Sequence, residues 1–342
     1  MEFPLADRWG GTGGKVPRRK FLLAACGVVA TPMSSLAQQT GKVWRVAILS
    51  TVSREDSEKV TEGPFLSRLA ELGYVEGRNL RVERRYAGGK LKTLRVLATE
   101  TLASKPDLIF TAASDSTLAA RNATTTVPIV FCNVSDPIAI GLAQNLARPG
   151  GNITGLSNFN AELAGKRIEM LREILPKLTR LAVWTDPDAA NAVVELRAIE
   201  RSAVHFGIQH LVLNARSPSE YAEAVSATRN WQADAIYINS TPASYVNRKR
   251  IIELVAKSRI PTIYWAAAFV SDGGLLAYAV SIPHLARRAA DYADRILRSR
   301  NPGDLPIEQP TKIDLIINLK TANALGLRIP SSIRLRADDV IE

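Results

Sequence analysis

The sequence predicts an α/β fold in which two lobes each contain a doubly wound parallel sheet, covered by helices on both faces. Short apolar segments alternate with amphipathic helical segments along most of the chain, a pattern typical of parallel sheets. The alternation forms two series of similar element order, separated by a Gly-rich segment at residues 150–155 that we interpret as a crossing between lobes. The length of 342 residues suits two domains of roughly 150 residues each.

The first series begins with an apolar strand at residues 44–49. A helix follows from Gly63, with Pro64 in its first turn and Phe65, Leu69 and Leu72 on one face. Residues 80–86 alternate apolar and charged side chains, which predicts a partly exposed edge strand. The remaining elements of this series are helices over about 90–104, 115–123 and 138–147 and strands over 107–111 and 127–131.

The second series begins with a helix over about 161–175, whose apolar stripe is formed by Ala164, Ile168, Leu171 and Leu175. The predicted strands are at 181–184, 208–213, 235–238, 261–264 and 275–278. The predicted helices cover about 188–206, 217–230, 243–258 and 284–299, and a strand–helix pair near 313–326 follows.

Composition narrows the functional class. Hydrophobic residues make up 46% of the chain and charged residues 23%, so a sizeable core can form. Three scattered histidines and two cysteines predict neither a metal site nor a disulfide framework. The formal net charge of +11 raises the question of a nucleic-acid partner, but the densest basic stretch, residues 78–95, carries no nucleic-acid-binding motif. We interpret it as a solvated face, with an acidic partner surface as the alternative.

Residues 1–37 have the features of an export signal behind an N-terminal extension. Arg18 and Arg19 precede a short apolar stretch, and Ser35 and Ala37 place small residues at positions −3 and −1 of a cleavage site. These features predict a twin-arginine-like or Sec signal and a periplasmic location. A buried N-terminal helix and a lipoprotein acylated at Cys26 are the alternatives, the second disfavoured by the short apolar core before Cys26.

Ligands of parallel sheets bind outside the carboxyl ends of the strands, so the polar loops there are the candidate site. The helix starts at 115 and 138 could hold an anionic group, and Asp136 or Asp188 a cationic one. Trp265, Tyr278 or Trp184 could cover an apolar body. Helix capping and core packing are the alternative roles. The candidate ligand-binding residues are Ser50, Thr51, Ala113, Ser114, Asp115, Ser135, Asp136, Thr185, Asp186, Asp188, Asn239, Thr241 and Trp265.

Three stretches together resemble a known family. Residues 73–80 resemble its GYVEGxN turn, residues 136–155 its DPxxxGLxxxLxRPGGNxTG stretch, and residues 309–327 its C-terminal signature. The family is that of the ABC-transporter substrate-binding proteins of the TrpX-like type, and the resemblance covers about residues 43–342. It implies a type I periplasmic binding protein fold, with two lobes joined by a hinge of three crossings. Implied lobe 1 is 43–153 plus about 277–303, and implied lobe 2 is 156–268 plus about 304–342.

The resemblance implies an extracytoplasmic solute-binding component of an ABC importer. Such a protein would capture a small solute, an amino acid or an aromatic compound, by hinge closure, and would act as a monomer with an inner-membrane ABC permease and no cofactor. Many relatives have a charged residue soon after the position of Trp265, whereas Ala266, Ala267 and Ala268 follow it here, so the ligand class stays open.

Two other functional classes, an enzyme and a transcription regulator, remain as alternatives. An α/β enzyme is disfavoured because the chain has no G-x-G-x-x-G after the first strand and no G-x-S-x-G elbow. A ligand-sensing transcription regulator would need a DNA-binding helical module at the N-terminus, where the export signal stands instead.

Overall fold

The computed structural model describes residues 42–342, so the predicted export signal at 1–37 and Cys26 lie outside the described residues. The strands are β1 (Trp44–Ser50), β2 (Leu80–Tyr86), β3 (Leu108–Ala112), β4 (Ile129–Val134), β5 (Ile153–Ser157), β6 (Arg180–Thr185), β7 (Gln209–Asn214), β8 (Ala235–Ile238), β9 (Thr262–Tyr264), β10 (Leu276–Val280), β11 (Ile313–Asn318) and β12 (Asp339–Ile341).

The helices are α1 (Arg54–Ser57), α2 (Gly63–Glu71), α3 (Leu94–Ala103), α4 (Ser114–Ala123), α5 (Asn160–Ile174), α6 (Ala192–His205), α7 (Pro218–Asn230), α8 (Pro242–Val246), α9 (Arg248–Ser258), α10 (Ala267–Ser271), α11 (Ile282–Leu297), α12 (Leu319–Leu325) and α13 (Ser331–Arg336). A π-helical turn (Glu58–Glu62) connects α1 and α2, and short 3₁₀ turns occupy Leu91–Thr93 and Pro302–Asp304. Between residues 42 and 342, no helix has both the length and the apolar character needed to cross a membrane.

The first lobe contains a five-stranded parallel sheet in the order β2-β1-β3-β4-β5. Its central strands are continuous apolar runs because helices cover both faces. On one face Phe65 of α2 stacks on Phe110 of β3, with ring centroids 3.9 Å apart. Strand β2 lies at the edge and exposes Arg81 between the buried Leu80 and Val82, which confirms the predicted edge strand.

The second lobe contains a seven-stranded sheet in the order β12-β11-β10-β9-β8-β6-β7. All neighbours are parallel except β10 and β11, which run antiparallel. Between these two strands the chain leaves the lobe and returns, so no compact helical crossover dictates a parallel pairing. The predicted class, two doubly wound α/β lobes joined by a hinge, is confirmed with this one antiparallel exception.

Three segments join the lobes. Residues 158–159 lead from β5 to α5, Ser281 leads from β10 to α11, and residues 309–312 lead into β11. Helix α11 packs on the first lobe, where Tyr292 shares a core cluster with Phe65 of α2. The chain therefore passes between the lobes three times, as a type I binding-protein fold requires.

Some expectations about this connection are corrected. Residues 150–155 are not a crossing, because residues 153–157 form β5 and pair with β4 in the first sheet. The return segment expected in lobe 1 from about residue 277 starts later, because β10 pairs with β9 and β11 in the second sheet. Of the residues from 277 onwards, only α11 and the segment up to about residue 308 pack on the first lobe, where Ile307 joins the core around Phe131, so lobe 2 resumes later than the expected residue 304.

The helix expected at 138–147 does not form. Gly141 adopts a φ of +73°, and the amides of Leu142 and Ala143 both donate to the carbonyl of Pro137, so the segment is a series of turns. The helix expected at 243–258 is divided into α8 and α9 at Asn247.

We expect Gly155→Ala to lower the free energy of unfolding by about 1–3 kcal/mol, because a Cβ there would overlap the carbonyl oxygen of Phe131 and lie 2.7 Å from its Cγ. Gly165→Ala in α5 is the control. Its Cβ would meet only the flexible Ser202 Oγ at 3.2 Å, and alanine favours the helix. Urea denaturation of both variants measures the difference. Equal stability of the two would contradict the packing around β5 described above.

Candidate ligand-binding cleft

A cavity lies between the lobes, where the carboxyl ends of strands from both sheets face each other. In this closed geometry the cavity has a volume of about 40 Å³. The first lobe contributes the carboxyl ends of β1, β3 and β4 and the residues that follow β1, β3 and β5, and the second lobe contributes the loops after β6, β8 and β9. The lining residues are Ser50, Thr51, Val52, Val60, Thr61, Ala112, Ala113, Ser114, Asn133, Asn158, Asn191, Ser240, Thr241, Pro242, Tyr245, Trp265 and Ile282.

The first-lobe wall is formed mainly by hydroxyl and amide groups. Ser50 ends β1, Thr51 follows it directly, and both are almost fully buried. Asn158, in the first crossing segment, donates from Nδ2 to Asn133 Oδ1 at 2.9 Å. Because Asn158 also caps Asn160 N through Oδ1 at 3.0 Å, the crossing segment and the cavity wall are fixed together.

Ala113 lines the cavity in a strained backbone conformation, with φ +81° and ψ 159°. This region is populated almost only by glycine and costs on the order of 1–3 kcal/mol for other residues. The amide of Ala113 donates to the carbonyl of Cys132 at 3.1 Å, which holds the conformation. Strain of this kind concentrates at ligand sites, and here it directs the start of α4 towards the cavity.

The second-lobe wall is aromatic. Tyr245 and Trp265 lie with ring centroids 5.7 Å apart, and each is less than a tenth exposed. Trp265 Nε1 donates to Ser244 Oγ at 3.1 Å. Ser244 also closes a capping box with Thr241 at the start of α8. The indole is therefore held by the same cap that places the Thr241 hydroxyl at the cavity.

A fully buried ion pair supports the cavity from the second lobe. Arg167 Nη1 lies 3.4 Å from Glu195 Oε1 and donates to Tyr237 Oη at 2.9 Å. Arg167 Nη2 donates to Asn160 Oδ1 at 2.6 Å, next to the first crossing. Glu195 Oε2 accepts from the amide of Ser240, a lining residue, at 3.2 Å. Burial raises the pKa of Glu195, and the Arg167 guanidinium opposes this effect.

Contacts across the cleft show that the lobes are closed. Asp115 Oδ1 in the first lobe accepts from the amide of Ala190 in the second, at 2.8 Å. At another point of the interface, Arg248 Nη1 of the second lobe lies 2.9 Å from Asp56 Oδ1 of the first. Arg248 Nε also donates to Asp272 Oδ2 at 2.8 Å within its own lobe.

Asp115 makes ligand affinity sensitive to pH in this geometry. Burial in the closed cleft raises its pKa from 3.8 to about 6, with the charge of Asp186 acting in the same direction. We expect opening of the cleft to expose the Asp115 carboxyl further and to return its pKa towards the ordinary value. The closed state therefore gains a proton between about pH 4 and 6, and closure is favoured below this range and loses that contribution as the pH rises through it.

We expect the ratio of the wild-type Kd to the Asp115→Asn Kd to rise by roughly 10- to 100-fold between pH 4 and pH 7. This size follows from the raised pKa of Asp115, since one pKa unit corresponds to about 1.4 kcal/mol. The amide keeps an acceptor for Ala190 N but does not titrate. Calorimetric titration of both proteins at each pH measures the ratio, so ionisation of the solute cancels. A constant ratio would show that Asp115 stays solvated on closure.

The sequence-predicted site residues fall into three groups. The cavity is lined by Ser50, Thr51, Ala113, Ser114, Thr241 and Trp265. A neighbouring groove is lined by Asp115, Asp186 and Asp188, with Arg216 and basic residues of the 90–95 segment. The others, Ser135, Asp136, Thr185 and Asn239, line neither space.

Local hydrogen bonds hold three of these four side chains away from the cavity. Asn239 Nδ2 donates to Thr185 Oγ1 at 2.9 Å, and both side chains are buried. Asp136 Oδ1 accepts from Ala139 N at 2.9 Å and so stabilises its own turn. For Ser135 only the backbone amide is bonded, to Ser114 Oγ at 3.3 Å, and its buried hydroxyl has no hydrogen-bond partner among the described residues. The predicted anion-binding helix start at 138 does not exist, because that helix does not form.

Two proposed aromatic covers are likewise not at the cavity. Trp184 is buried in the second-lobe core and donates from Nε1 to Thr228 Oγ1 at 3.0 Å. Tyr278 packs between the two large core clusters. Trp184 near the end of β6 and Tyr278 in the middle of β10 thus pack in the core instead of the cleft.

Several lining residues were not among the candidates. Val60 and Thr61 lie on the π-helical turn, Tyr245 on α8, and Ile282 just after the second crossing. None of them follows a strand directly, so the strand-end rule does not find them. Asn133 lies near the carboxyl end of β4 and Ser240 in the loop after β8, so the strand-end rule does point to both of them.

Comparison with known proteins agrees with this architecture. Residues 45–341 match the model of the family described as ABC transporter substrate binding protein. The chain belongs to this family. Proteins of the ABC transporter substrate binding family bind solutes and normally lie outside the cytoplasm, so solute binding is the general activity of this family member.

Individual relatives of this family member cover most of its length. It is 26% identical over 296 residues to a tyrosine-binding protein of Clostridioides difficile (strain R20291), covering 86% of this chain and 83% of the relative. The crystal structure of a conserved domain protein from Vibrio cholerae is 28% identical, with a TM-score of 0.83 over 87% of this chain and 100% of that chain. The structure of an ABC domain in complex with L-Trp from Streptococcus pneumonia shows the same fold, with 22% identity and a TM-score of 0.81 over 87% and 99% of the two chains.

Proposed function

We propose that this protein is the extracytoplasmic solute-binding component of an ABC importer and captures a small aromatic solute by closing its two lobes around it. The observation that carries the proposal is the cavity itself. Its polar wall comes from the first lobe and its aromatic wall, Tyr245 and Trp265, comes from the second. A solute between these walls contacts both lobes only when the cleft is closed.

Closure follows from these two-sided contacts. A ligand shifts a conformational equilibrium only by its difference in affinity for the two states. In an open cleft the solute touches one wall, and in the closed cleft it touches both. Shifting the lobes from mostly open to mostly closed requires about 5 kcal/mol of such differential binding. Rotation about the three crossing segments is a hinge motion that supplies the movement.

An aromatic solute fits the second-lobe wall. Flat rings pack favourably on tyrosine and tryptophan rings in offset or edge-on arrangements. Two proteins similar to this chain are described with aromatic ligands, one as tyrosine-binding and one in complex with L-Trp. Tyr245 and Trp265 provide an aromatic contact of the kind such a ligand requires.

The proposal includes release of the solute without chemical change. Among the described residues that line the cavity there is no His, Cys, Asp, Glu, Lys or Arg. The lining therefore presents no titratable group of the kinds used for acid–base or nucleophilic catalysis, apart from the Tyr245 hydroxyl, whose pKa burial raises to about 12.

The experiment that tests solute capture uses the protein as purified. Native mass spectrometry identifies a co-purified solute, and thermal-shift measurements then compare aromatic amino acids with aromatic acids. A solute that binds only the folded protein raises the melting temperature. Failure of every compound to bind, or recovery of an altered solute, would overturn the proposal.

Export from the cytoplasm, a partner ABC permease and a monomeric state complete the proposal. The support for export is the twin-arginine stretch at Arg18 and Arg19 and the small residues up to Ala37. A reporter fused to residues 1–40 should reach the periplasm, and Arg18→Lys with Arg19→Lys should abolish or reduce twin-arginine export. A reporter that stays in the cytoplasm with the native segment would contradict the proposed location.

A further inference from the structure

We infer that Arg248 is a positioning residue for lobe closure: it pairs with Asp56 of the other lobe in the closed state, and this ion pair slows the departure of the solute. The inference rests on the proposed function and deepens it. The observation behind it is the distance of 2.9 Å between Arg248 Nη1 and Asp56 Oδ1. Among residues 42–342, no other ion pair joins the two lobes.

Arg248 is held in place within its own lobe by contacts that also involve the cavity wall. Its Nε donates to Asp272 Oδ2 at 2.8 Å, and its Nη1 donates to the carbonyl of Tyr245 at 3.0 Å. The centre of the guanidinium lies 4.8 Å from the centroid of the Tyr245 ring, within the range of a cation–π contact. The side chain that reaches the first lobe therefore also positions a ring of the aromatic wall.

Asp56 is oriented by the start of α1 in the first lobe. Ser53 Oγ accepts from the amide of Asp56 at 3.2 Å and donates to Asp56 Oδ2 at 3.0 Å. Helix α1 leads directly into the π-helical turn, whose Val60 lines the cavity and packs on the second-lobe cluster that contains Tyr245 and Trp265. The ion pair thus lies beside an apolar contact between the lobes.

The pair stabilises the closed state selectively because its two members belong to different lobes. We expect hinge opening to separate them, with Arg248 keeping Asp272 and the Tyr245 carbonyl and Asp56 regaining water. In the closed state the Arg248 and Asp56 side chains are only 11% and 13% exposed, so water screens their attraction less than that of a surface pair. A contact made in one state only shifts the equilibrium towards that state.

The effect falls on the rate of release. A solute enclosed between the lobes leaves only after they separate, so the Asp56–Arg248 pair must break first. Removing one member of a largely buried charge pair acts mainly on the dissociation rate and much less on the association rate. A loss of this kind differs from the loss of a direct contact with the solute, because neither charge lines the cavity.

Asp56→Asn tests the inference, since the amide keeps an acceptor for Ser53 Oγ but carries no charge. We expect the dissociation rate and the Kd to rise at least about fivefold, more than an exposed pair contributes. Stopped-flow tryptophan fluorescence and calorimetry of the whole mature protein measure both, with L-tyrosine, L-tryptophan and any co-purified solute as probes. Glu58→Gln is the control, because Glu58 is close in the chain and pairs with the exposed Arg54 of the same lobe.

A double-mutant cycle and urea denaturation separate closure from a structural role. In an Arg248→Gln background, Asp56→Asn should have little further effect on the dissociation rate. Without solute, the urea midpoints of Asp56→Asn and Glu58→Gln should be equal, because the open protein does not form the pair.

Three results would overturn the inference and leave the proposed function standing. They are equal dissociation rates for Asp56→Asn and Glu58→Gln, an undiminished effect of Asp56→Asn in the Arg248→Gln background, and a lower urea midpoint for Asp56→Asn without solute. If no probe binds and no solute co-purifies, the proposed function and this inference both fall.

Discussion

Arg167→Met is expected to lower the free energy of unfolding by about 3–5 kcal/mol, because the substitution leaves Glu195 as an unpaired charge in the core. Both side chains are completely buried. The substitution also removes the donors to Tyr237 Oη and Asn160 Oδ1. The loss therefore combines an uncompensated buried charge with unsatisfied polar groups.

A double substitution distinguishes the contribution of the buried charges to stability from that of the packing. Arg167→Met with Glu195→Leu removes both charges, and we expect it to recover part of the lost stability, since apolar residues often replace a buried ion pair at little cost. Glu195→Leu alone should be destabilising, because it leaves Arg167 unpaired. The coupling between the two sites then follows from the double-mutant cycle.

Urea denaturation measures these differences. Arg250→Met is the matched control, because Arg250 is exposed on α9 and, within residues 42–342, pairs only with Glu253 at the surface. Surface pairs contribute roughly 0–1 kcal/mol. If Arg167→Met is no less stable than Arg250→Met, the buried pair does not hold the second lobe together as described.

Trp265→Ala is expected to weaken binding of the aromatic solute by roughly 30-fold or more, corresponding to the 2 kcal/mol or more that defines an interface hot spot. The indole forms part of the second-lobe wall and is fixed by Ser244. Its removal takes away contacts that the solute makes only when the cleft closes.

Trp265→Phe and Trp231→Ala are the two variants for comparison. The phenylalanine retains an aromatic ring but loses the bond to Ser244 Oγ, so we expect a smaller loss of affinity. Trp231 lies at the end of α7 against Arg180, away from the cleft, and its removal should leave affinity unchanged. Titration calorimetry, with urea denaturation to verify folding, measures these effects. If a folded Trp265→Ala variant binds the solute with wild-type affinity, the aromatic wall has no part in the proposed function.

Much of the fold follows from the sequence because its central strands are buried on both faces. The apolar runs of β1 and β6 have no polar alternation, and each is followed by an amphipathic helix, so the pattern is unambiguous. The helix expected at 138–147 failed because Gly141 adopts a left-handed conformation that amphipathic spacing does not reveal. The antiparallel pairing of β11 depends on a path through the other lobe, which is a long-range property.

Fewer of the residues that line the cleft could be predicted from the sequence. The strand-end rule places Ser50, Thr51 and Ser114 at the cavity because the loop directions there follow from the sheet. The rule does not distinguish Trp265 from Trp184, since Trp265 directly follows β9 and Trp184 is the last residue but one of β6, yet only the ring of Trp265 lies at the cavity. Tyr245 lies on a helix and contributes to the cavity wall through its packing against Trp265. No local sequence pattern predicts such a contact.

Small-angle X-ray scattering of the purified protein, with and without the co-purified or best-binding solute, tests the central claim most directly. The account predicts a smaller radius of gyration with solute bound, as the lobes close on the cavity between Thr51 and Trp265, and recovery of the solute unchanged. Identical scattering profiles in the two states, at saturating solute, would contradict capture by closure.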